Sequence, residues 1–174
     1  MDIFQYVKAL SAFDGYVDYR VGKNYEIVIA DMSKEFLEEI CNELRKYGVS
    51  CGVYASRRDR AFRLRIYGKE SVDRILNSSL APEVLIAAAI DAEGNVKKYR
   101  NQPFRTRIVV KSDMARRIED ALTALSIRYV KITRKGGRYT EIVVSGKEEN
   151  QKLYRVVKIR HPQKLQVVGH YLNL

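Results

Sequence analysis

The sequence lacks the residue patterns on which many hydrolytic and nucleotide-driven enzymes depend. Its two histidines, His161 and His170, lie near the carboxyl end without a supporting cluster, so a zinc or histidine-based nuclease centre is implausible. No glycine-rich phosphate loop is present, which disfavours a nucleoside triphosphatase. A serine or cysteine nucleophile would need a histidine elsewhere in the chain. These absences disfavour three classes of enzyme.

Cysteines and long apolar runs are also scarce. Cys41 and Cys51 have no metal-binding or redox spacing, and Cys41 falls on an apolar helical face, so we expect a small core residue in a reducing compartment. The longest apolar run, around 84–90, is too short to span a membrane. The first residues lack a basic region followed by an apolar core, the pattern of a signal peptide. We therefore expect a cytoplasmic, nucleoid-associated protein without a membrane partner.

Positive charge is what the sequence has in excess. Lysine and arginine together number 32 against 21 acidic residues, a formal net charge of +11. This balance favours a polyanion partner, and nucleic acid is the commonest one. The 174 residues, of which 46% are hydrophobic, suffice for one compact domain or two small ones sharing a core.

Residues 82–96 predict a buried helix that runs directly into a strand. Pro82 suits the first helical turn, and Gly94 occupies the place of a helix-ending glycine. The run between them is apolar except at Asp91, which we interpret as a helix-end residue. Glu93 then falls at the carboxyl end of the helix, where a carboxylate is unfavourable unless a cation joins it.

The same pattern occurs near the amino end, at an offset of 79 residues. Residues 14–17 match residues 93–96 as acid, glycine, any residue and valine, and residues 27–29 are matched with 108–110. Glycine, lysine and glutamate at 68–70 recur at 146–148. Each copy is predicted as helix, two strands, helix, two strands, helix. We expect two halves, 1–79 and 80–174, packed about a pseudo-two-fold axis, with 161–174 outside the repeat.

Residues 86–94 resemble the signature motif of the LAGLIDADG homing endonucleases, and residues 7–15 resemble a degenerate second copy. The resemblance is to the single-chain, two-motif type, intron-encoded and archaeal-like. It implies an α+β fold of duplicated αββαββα halves with pseudo-two-fold symmetry, in which two antiparallel four-stranded sheets form a DNA-binding saddle. It also implies a monomeric, magnesium-dependent phosphodiester hydrolase that cuts both strands of DNA at a long, specific site.

The family holds metal ions with the last acid of each motif. Carried over, Asp14 and Glu93 are the ligands of Mg²⁺ or Mn²⁺, with Gly15 and Ala92 beside them in the metal site. Divalent cations relieve the repulsion between two such carboxylates. A shifted reading of the first motif would instead place Tyr16 in the ligand position, but it breaks the glycine and valine matches.

Two lysines of this sequence are candidates for the lysines that the family places near its cleavage centre. Lys69 and Lys147 open the last helix of each copy, where the resemblance implies a catalytic role in stabilising developing charge or positioning water. Lys111 and Asp31, near the ends of their strands, are weaker candidates.

Strand alternation predicts the DNA-reading residues. Arg63 and Arg65 alternate with apolar neighbours, as expected for a strand with one basic face, and arginine both reads guanine and binds phosphate. The full predicted DNA-binding set is Asp18, Arg20, Arg57, Arg58, Arg60, Arg63, Arg65, Lys97, Tyr99, Asn101, Arg105, Arg107, Lys131, Thr133, Lys135 and Arg138.

Other functions on the same scaffold stay open at this point. The basic sheets would equally serve an RNA-binding intron maturase, with intron RNA as partner instead of double-stranded DNA. A DNA-binding protein whose cleavage centre has decayed, or a transcription regulator, would need the acids only as structural residues.

Overall fold

The computed structural model describes residues 1–20, 24–98, 102–133 and 136–173, without the side chains of 19, 20 and 24. The chain divides into two compact units, Met1–Leu80 and Ala81–Leu174. The elements of the first unit are α1 (Ile3–Asp14), β1 (Gly15–Arg20), β2 (Asn24–Asp31), α2 (Lys34–Arg45), β3 (Ser50–Ala55), β4 (Phe62–Tyr67) and α3 (Lys69–Leu76). None of the helices in the described ranges is long and apolar enough to cross a membrane.

The second unit repeats this order and adds one helix. Its elements are α4 (Pro82–Glu93), β5 (Gly94–Lys97), β6 (Arg105–Lys111), α5 (Ser112–Ala124), β7 (Val130–Thr133), β8 (Tyr139–Ser145), α6 (Lys147–Val156) and α7 (Pro162–Leu172). The predicted α+β fold with two antiparallel four-stranded sheets is therefore confirmed. The additional helix, α7, occupies the segment that the repeat left unassigned.

The strands of both sheets follow the same spatial order, β1-β2-β4-β3 and β5-β6-β8-β7. Gly15 pairs with Ile29 in the first sheet, and Gly94 pairs with Ile108 in the second. The structural equivalent of Ile108 is therefore Ile29, which corrects the match of residues 27–29 with 108–110 by two positions. The offset of 79 found at the helix ends continues into the neighbouring strand.

One face of each sheet packs against the helices of its own unit. In the first unit this face carries Ile27, Ile29, Leu64 and Ile66, all buried, because strand side chains alternate between the two faces. The opposite face, which we call the open face, carries the neighbours of these residues in sequence. Arg63 and Arg65 therefore belong to the open face of this sheet.

The helices begin and end where local chemistry requires. The Asp2 carboxylate accepts hydrogen bonds from the first backbone N–H groups of α1, and the Ser33 hydroxyl does so for α2. At the other end, a Cβ on Gly94 would collide with the carbonyl oxygen of Ile90. A Cβ on Gly15 would lie only 2.7 Å from the Cα of Ser11. Only glycine lets the strand leave so closely against the helix that precedes it.

The two cysteines differ from the expectation of a reduced core residue. Cys41 of α2 and Cys51 of β3 form a disulfide with their Cα atoms 5.8 Å apart. A separation of ten residues matches no metal or redox motif, so the sequence carried no signal for it. The pairing arises because the chain turns back after α2 and lays β3 beside that helix.

Candidate functional site

The first candidate carboxylate stands at the junction of α1 and β1. Asp14 is the last helical residue, and Gly15 opens the strand. Asp14 is half-buried, and the helix leading to it buries Tyr6, Val7 and Leu10. A rigid, well-packed helix thus fixes the position of a single carboxylate.

The second carboxylate occupies the same place in the second unit. Glu93 is the last residue of α4 and follows half-buried Ala92, and Gly94 opens β5. Its side chain reaches solvent, yet nearby protein buries its carboxyl enough to raise the pKa above the ordinary glutamate value. Lys164 and Lys111 oppose that shift by lowering the pKa through their positive charge. The acid therefore lies in an environment that favours an added cation or proton.

Lys69 lies far from the acid of its own unit, which corrects the role suggested by its place in the repeat. Gly68 donates its N–H to the carbonyl of Tyr25, whereas the junction at Gly15 pairs with Ile29. Four strand residues separate these points, about 13 Å. Lys69 forms an ion pair of 3.1 Å with Asp73, which raises its pKa.

Lys147 is displaced in the same way in the second unit. Gly146 donates its N–H to the carbonyl of Phe104, next to Arg105, while the junction at Gly94 pairs with Ile108. The start of α6 thus lies at the amino end of β6, whereas the end of α4 meets the middle of that strand, four residues further on. Lys111 and Lys164 lie close enough for their charge to lower the pKa of Glu93. Lys111 was a weaker candidate in the sequence analysis, and Lys164 was not predicted from the sequence. Pro162 at the first turn of α7, with apolar residues at 165, 168 and 172, was the available signal for that helix.

The open face of the first unit combines basic residues with a buried acid. Arg63 and Arg65 point away from buried Leu64, as the alternation predicted. The Arg65 Nη2 lies 3.2 Å from the Glu26 Oε1, and the Glu26 side chain is only 6% exposed. Arg63 bonds the Asp59 carboxylate at 2.8 Å, which lowers the pKa of Asp59. Asp18 shares this face by register, and Arg57, Arg58 and Arg60 are exposed in the loop before β4.

Two tyrosines, Tyr54 on the edge strand β3 and Tyr67 at the end of β4, lie on this open face. A Cβ on Gly52 would lie 2.6 Å from the Tyr54 hydroxyl, so the ring of Tyr54 covers a site that only glycine leaves free. Burial and a hydrogen bond with Tyr54 raise the pKa of Tyr67 to about 12. The β3 side of this open face is thereby covered by side chains of the sheet itself.

The open face of the second unit instead surrounds a groove of about 430 Å³. Lys97, Arg105 and Arg107 supply its positive charge, and Val130 and Ile132 supply exposed apolar surface. The buried Arg107 Nε has no hydrogen-bond partner in the part of the chain that the structure describes. Its nearest acid oxygen is the Glu141 Oε1 at 3.5 Å. Such a groove presents donors, charge and methyl groups to a ligand from outside.

The register of β7 corrects two of the predicted DNA-binding residues. Lys131 pairs with Ile142 and Thr133 pairs with Thr140, both of which are buried on the helix side of the sheet. The Lys131 ammonium lies 2.7 Å from a carboxylate oxygen of Glu119 on α5. Lys131 and Thr133 therefore face the helices. The open-face positions of this strand belong to its apolar residues instead.

The remaining predicted residues are only partly defined. Arg138 is exposed, with its guanidinium 5.6 Å from the ring of Tyr139. Tyr99, Asn101 and Lys135 lie outside the described residues, and Arg20 is described by its backbone in β1 alone.

The donor set suits a hard divalent cation. Among the described residues no three His, Cys, Asp or Glu side chains form a cluster that could hold a metal. Mg²⁺ does not require one, because it commonly binds one or two carboxylates and completes its shell with water and substrate phosphates. Each unit offers one helix-end carboxylate of the right chemistry, Asp14 or Glu93.

Comparison with known proteins agrees with this geometry. Residues 3–78 match the LAGLIDADG-like domain, which is the copy whose motif is more degenerate in sequence. No curated protein sequence matches the chain. The homing endonuclease I-DmoI, in complex with DNA and Ca, is 16% identical with a TM-score of 0.69, covering 97% of this chain and 97% of that one.

Two other solved structures share the architecture. The meganuclease I-SmaMI, bound to uncleaveable DNA, is 10% identical with a TM-score of 0.65, covering 94% of this chain and 87% of its own. Full-length DUF199/WhiA from Thermatoga maritima is 12% identical with a TM-score of 0.61, and the match covers 97% of this chain but 61% of that protein. At these identities the likeness shows a common fold.

Proposed function

Because the first unit is a LAGLIDADG-like domain and the fold is that of the LAGLIDADG homing endonucleases, we propose that this protein is a site-specific, divalent-metal-dependent endonuclease of double-stranded DNA. The repeated helix end carries the proposal. In both units an acid is the last residue of the first helix, and the glycine that follows is the only residue its surroundings admit. A structural role for the acids alone would not require this repetition.

The proposal assigns metal-binding residues to each unit, Asp14 with the backbone of Gly15 in the first and Glu93 with the backbone of Ala92 in the second. A bound Mg²⁺ or Mn²⁺ supplies Lewis-acid polarisation of a phosphate and neutralises negative charge that develops during hydrolysis. The related I-DmoI has been crystallised with DNA in the presence of Mn, Mg and Ca, which supports the choice of ion. Lys111, whose charge reaches Glu93, helps to keep that carboxylate ionised for this purpose.

The open faces would bind the DNA. Arg63, Arg65, Lys97, Arg105 and Arg107 provide charge for phosphates and paired donors for the edge of guanine. The net charge of +11 draws the polyanion to these faces over a longer range.

The second open face adds apolar recognition. Val130 and Ile132 are 57% and 48% exposed within the groove, where they suit contact with thymine methyl groups. The finer expectations that the protein is intron-encoded, acts as a monomer and works in the cytoplasm near the nucleoid belong to the same proposal.

Selection from random duplex DNA tests the function directly. We expect the protein to enrich one long sequence in Ca²⁺, and Mg²⁺ added to the bound pool to produce cleavage of both strands. Enrichment without cleavage would identify a DNA-binding protein with a decayed centre. Absence of enrichment would contradict the proposal, and binding to intron RNA would then become the function to examine.

A further inference from the structure

The carboxyl-terminal helix is fastened to the end of α4 by two reciprocal contacts. Asp91, 1% exposed, lies two residues before Glu93. Its carboxylate oxygens accept backbone hydrogen bonds from Arg160 at 2.8 Å and His161 at 3.1 Å. These residues lead into α7, whose amino end carries partial positive charge. A buried carboxylate of α4 thereby holds the two residues that precede α7.

The second contact runs in the opposite direction. The ammonium of Lys164 in α7 donates to the backbone carbonyls of Ile90 at 2.7 Å and Asp91 at 2.5 Å. The last carbonyls of a helix lack partners within the helix and carry partial negative charge. Lys164 supplies a donor to the Asp91 carbonyl and a second donor to the Ile90 carbonyl, close to Glu93. Hydrogen bonds from a charged donor are the stronger kind.

These contacts hold the segment from which Glu93 projects. The Gly94 N–H also donates to the Ile90 carbonyl, so that this single oxygen receives both the helix-ending bond and the Lys164 ammonium. A change at Lys164 thus bears directly on the hydrogen bond that ends α4. The position of the Glu93 backbone follows from that bond.

The first unit has no equivalent of this arrangement in sequence. At the offset of 79 residues, Ala12 takes the place of Asp91, and an alanine has no carboxylate to accept such hydrogen bonds. The repeat ends before α7, so the first unit also lacks a counterpart of the lysine-bearing helix. The hydrogen bonds of Asp91 and Lys164 that join α4 to α7 are therefore a feature of the second unit.

We propose that Lys164 is a positioning residue for Glu93 and that α7 holds the end of α4 in the cleavage centre of the second unit. The proposal rests on the proposed nuclease function. Lys164 acts through the α4 carbonyls, and its charge offsets the partial negative charge of the helix end on which a metal-binding carboxylate stands. Asp91 fixes the start of α7 and hence the direction from which Lys164 approaches.

Two measurements on the full-length protein test this role. Lys164→Met keeps the aliphatic stem and removes the donor, Lys164→Arg restores a cationic donor, and Lys158→Met makes the same substitution at an exposed lysine of the same tail. Amide hydrogen exchange at residues 92–94 reports the helix end without reference to catalysis. Single-turnover cleavage of the selected DNA with Mg²⁺, and the Kd for that DNA in Ca²⁺, report function.

The expected result is specific to Lys164→Met. Exchange at residues 92–94 accelerates about tenfold and cleavage slows about tenfold, as loss of charge-assisted hydrogen bonds implies, while the Kd stays within about twofold. Lys164→Arg recovers most of both effects, and Lys158→Met shows neither. Slow cleavage with unchanged exchange would overturn positioning in favour of a direct role.

The two proposals can fail separately. A wild-type protein that cuts, together with a Lys164→Met variant that exchanges and cuts normally, overturns the positioning role alone. A wild-type protein that never cuts overturns the nuclease and this role with it, whatever the exchange result at the end of α4.

Discussion

The two units share one topology but support their candidate carboxylates in different ways. In the first unit the helix bearing Asp14 has Ala12 in the place of Asp91, and a disulfide joins α2 to β3. In the second, Asp91 and Lys164 tie the helix bearing Glu93 to α7. The open faces also carry different side chains, since Tyr54 and Tyr67 lie on the first and Lys97, Arg105, Arg107, Val130 and Ile132 line a groove on the second.

This difference shows which features of the helix ends the fold requires in both units and which features can differ between them. The glycine after each acid is required because a Cβ would collide with the preceding helical turn. The packing that holds each junction is free to vary, because any arrangement that fixes the helix end serves equally well.

Loss of either carboxylate should have the largest effect. Glu93→Gln and Asp14→Asn each keep the side-chain shape but remove a metal-binding charge, so we expect cleavage to fall by about three orders of magnitude, equivalent to roughly 4 kcal/mol of transition-state stabilisation. Binding in Ca²⁺ should change by less than about threefold. Glu83→Gln, at the opposite end of α4, is the control. Full cleavage by Asp14→Asn alone would restore the shifted reading of the first motif, with Tyr16 as ligand.

Removal of the disulfide should distinguish the stability of the two units. Cys41→Ser with Cys51→Ser opens a loop that the bond closes over ten residues, which costs about 3 kcal/mol of unfolding free energy in the loop-entropy account. Hydrogen exchange should report faster opening in the first unit and unchanged opening in the second. Treatment of the wild-type protein with a thiol reductant should reproduce the effect. Equal losses in both units would show that they unfold as one.

Much of the fold could be predicted from the sequence because its strongest signals are local. Pro82 and Gly94 bracket a helix by backbone chemistry alone, and Arg63 and Arg65 alternate with residues that are fully buried. Such signals need no knowledge of distant parts of the chain. They gave the element order and the open face of β4 correctly.

The errors arose where the answer depends on tertiary placement. β7 is a short edge strand with all four residues exposed. Its sequence therefore has no alternation of buried and exposed residues from which the face occupied by Lys131 could be predicted. Lys147 begins a helix in the expected place along the chain, but only the sheet register reveals which end of β6 that helix meets. Lys164 lies 73 residues from the carbonyl it caps, beyond the reach of any repeat or motif.

A matched pair of lysines tests the corrected register of the second sheet. Lys97 lies on the open face, whereas Lys131 faces the helices and pairs with Glu119. Lys97→Met should therefore weaken DNA binding and reduce the slope of log Kd against log salt by about one unit, as expected for one lost phosphate contact. Lys131→Met should leave the slope unchanged. A reduced slope for Lys131→Met would return that residue to the DNA-binding set.

The smallest expected effect concerns the acids that the open faces retain among their basic residues. Glu26 repels phosphate, yet it is nearly fully buried and fixes Arg65 in one direction. Glu141 has a weaker contact with Arg107: its carboxylate oxygen lies 3.5 Å from the Arg107 Nε, and its side chain is 13% exposed.

We expect Glu26→Gln to tighten binding to scrambled DNA by about twofold to fivefold and to leave target binding nearly unchanged, because an unrestrained arginine gains phosphate contacts but loses its bidentate fit to a base. The Kd for scrambled DNA divided by the Kd for the target, both at one fixed salt concentration, measures this loss of specificity. Glu141→Gln should lower that ratio less, because the contact it breaks is longer and better solvated. A ratio that stays constant in both variants would mean that the acids serve only the stability of their sheets.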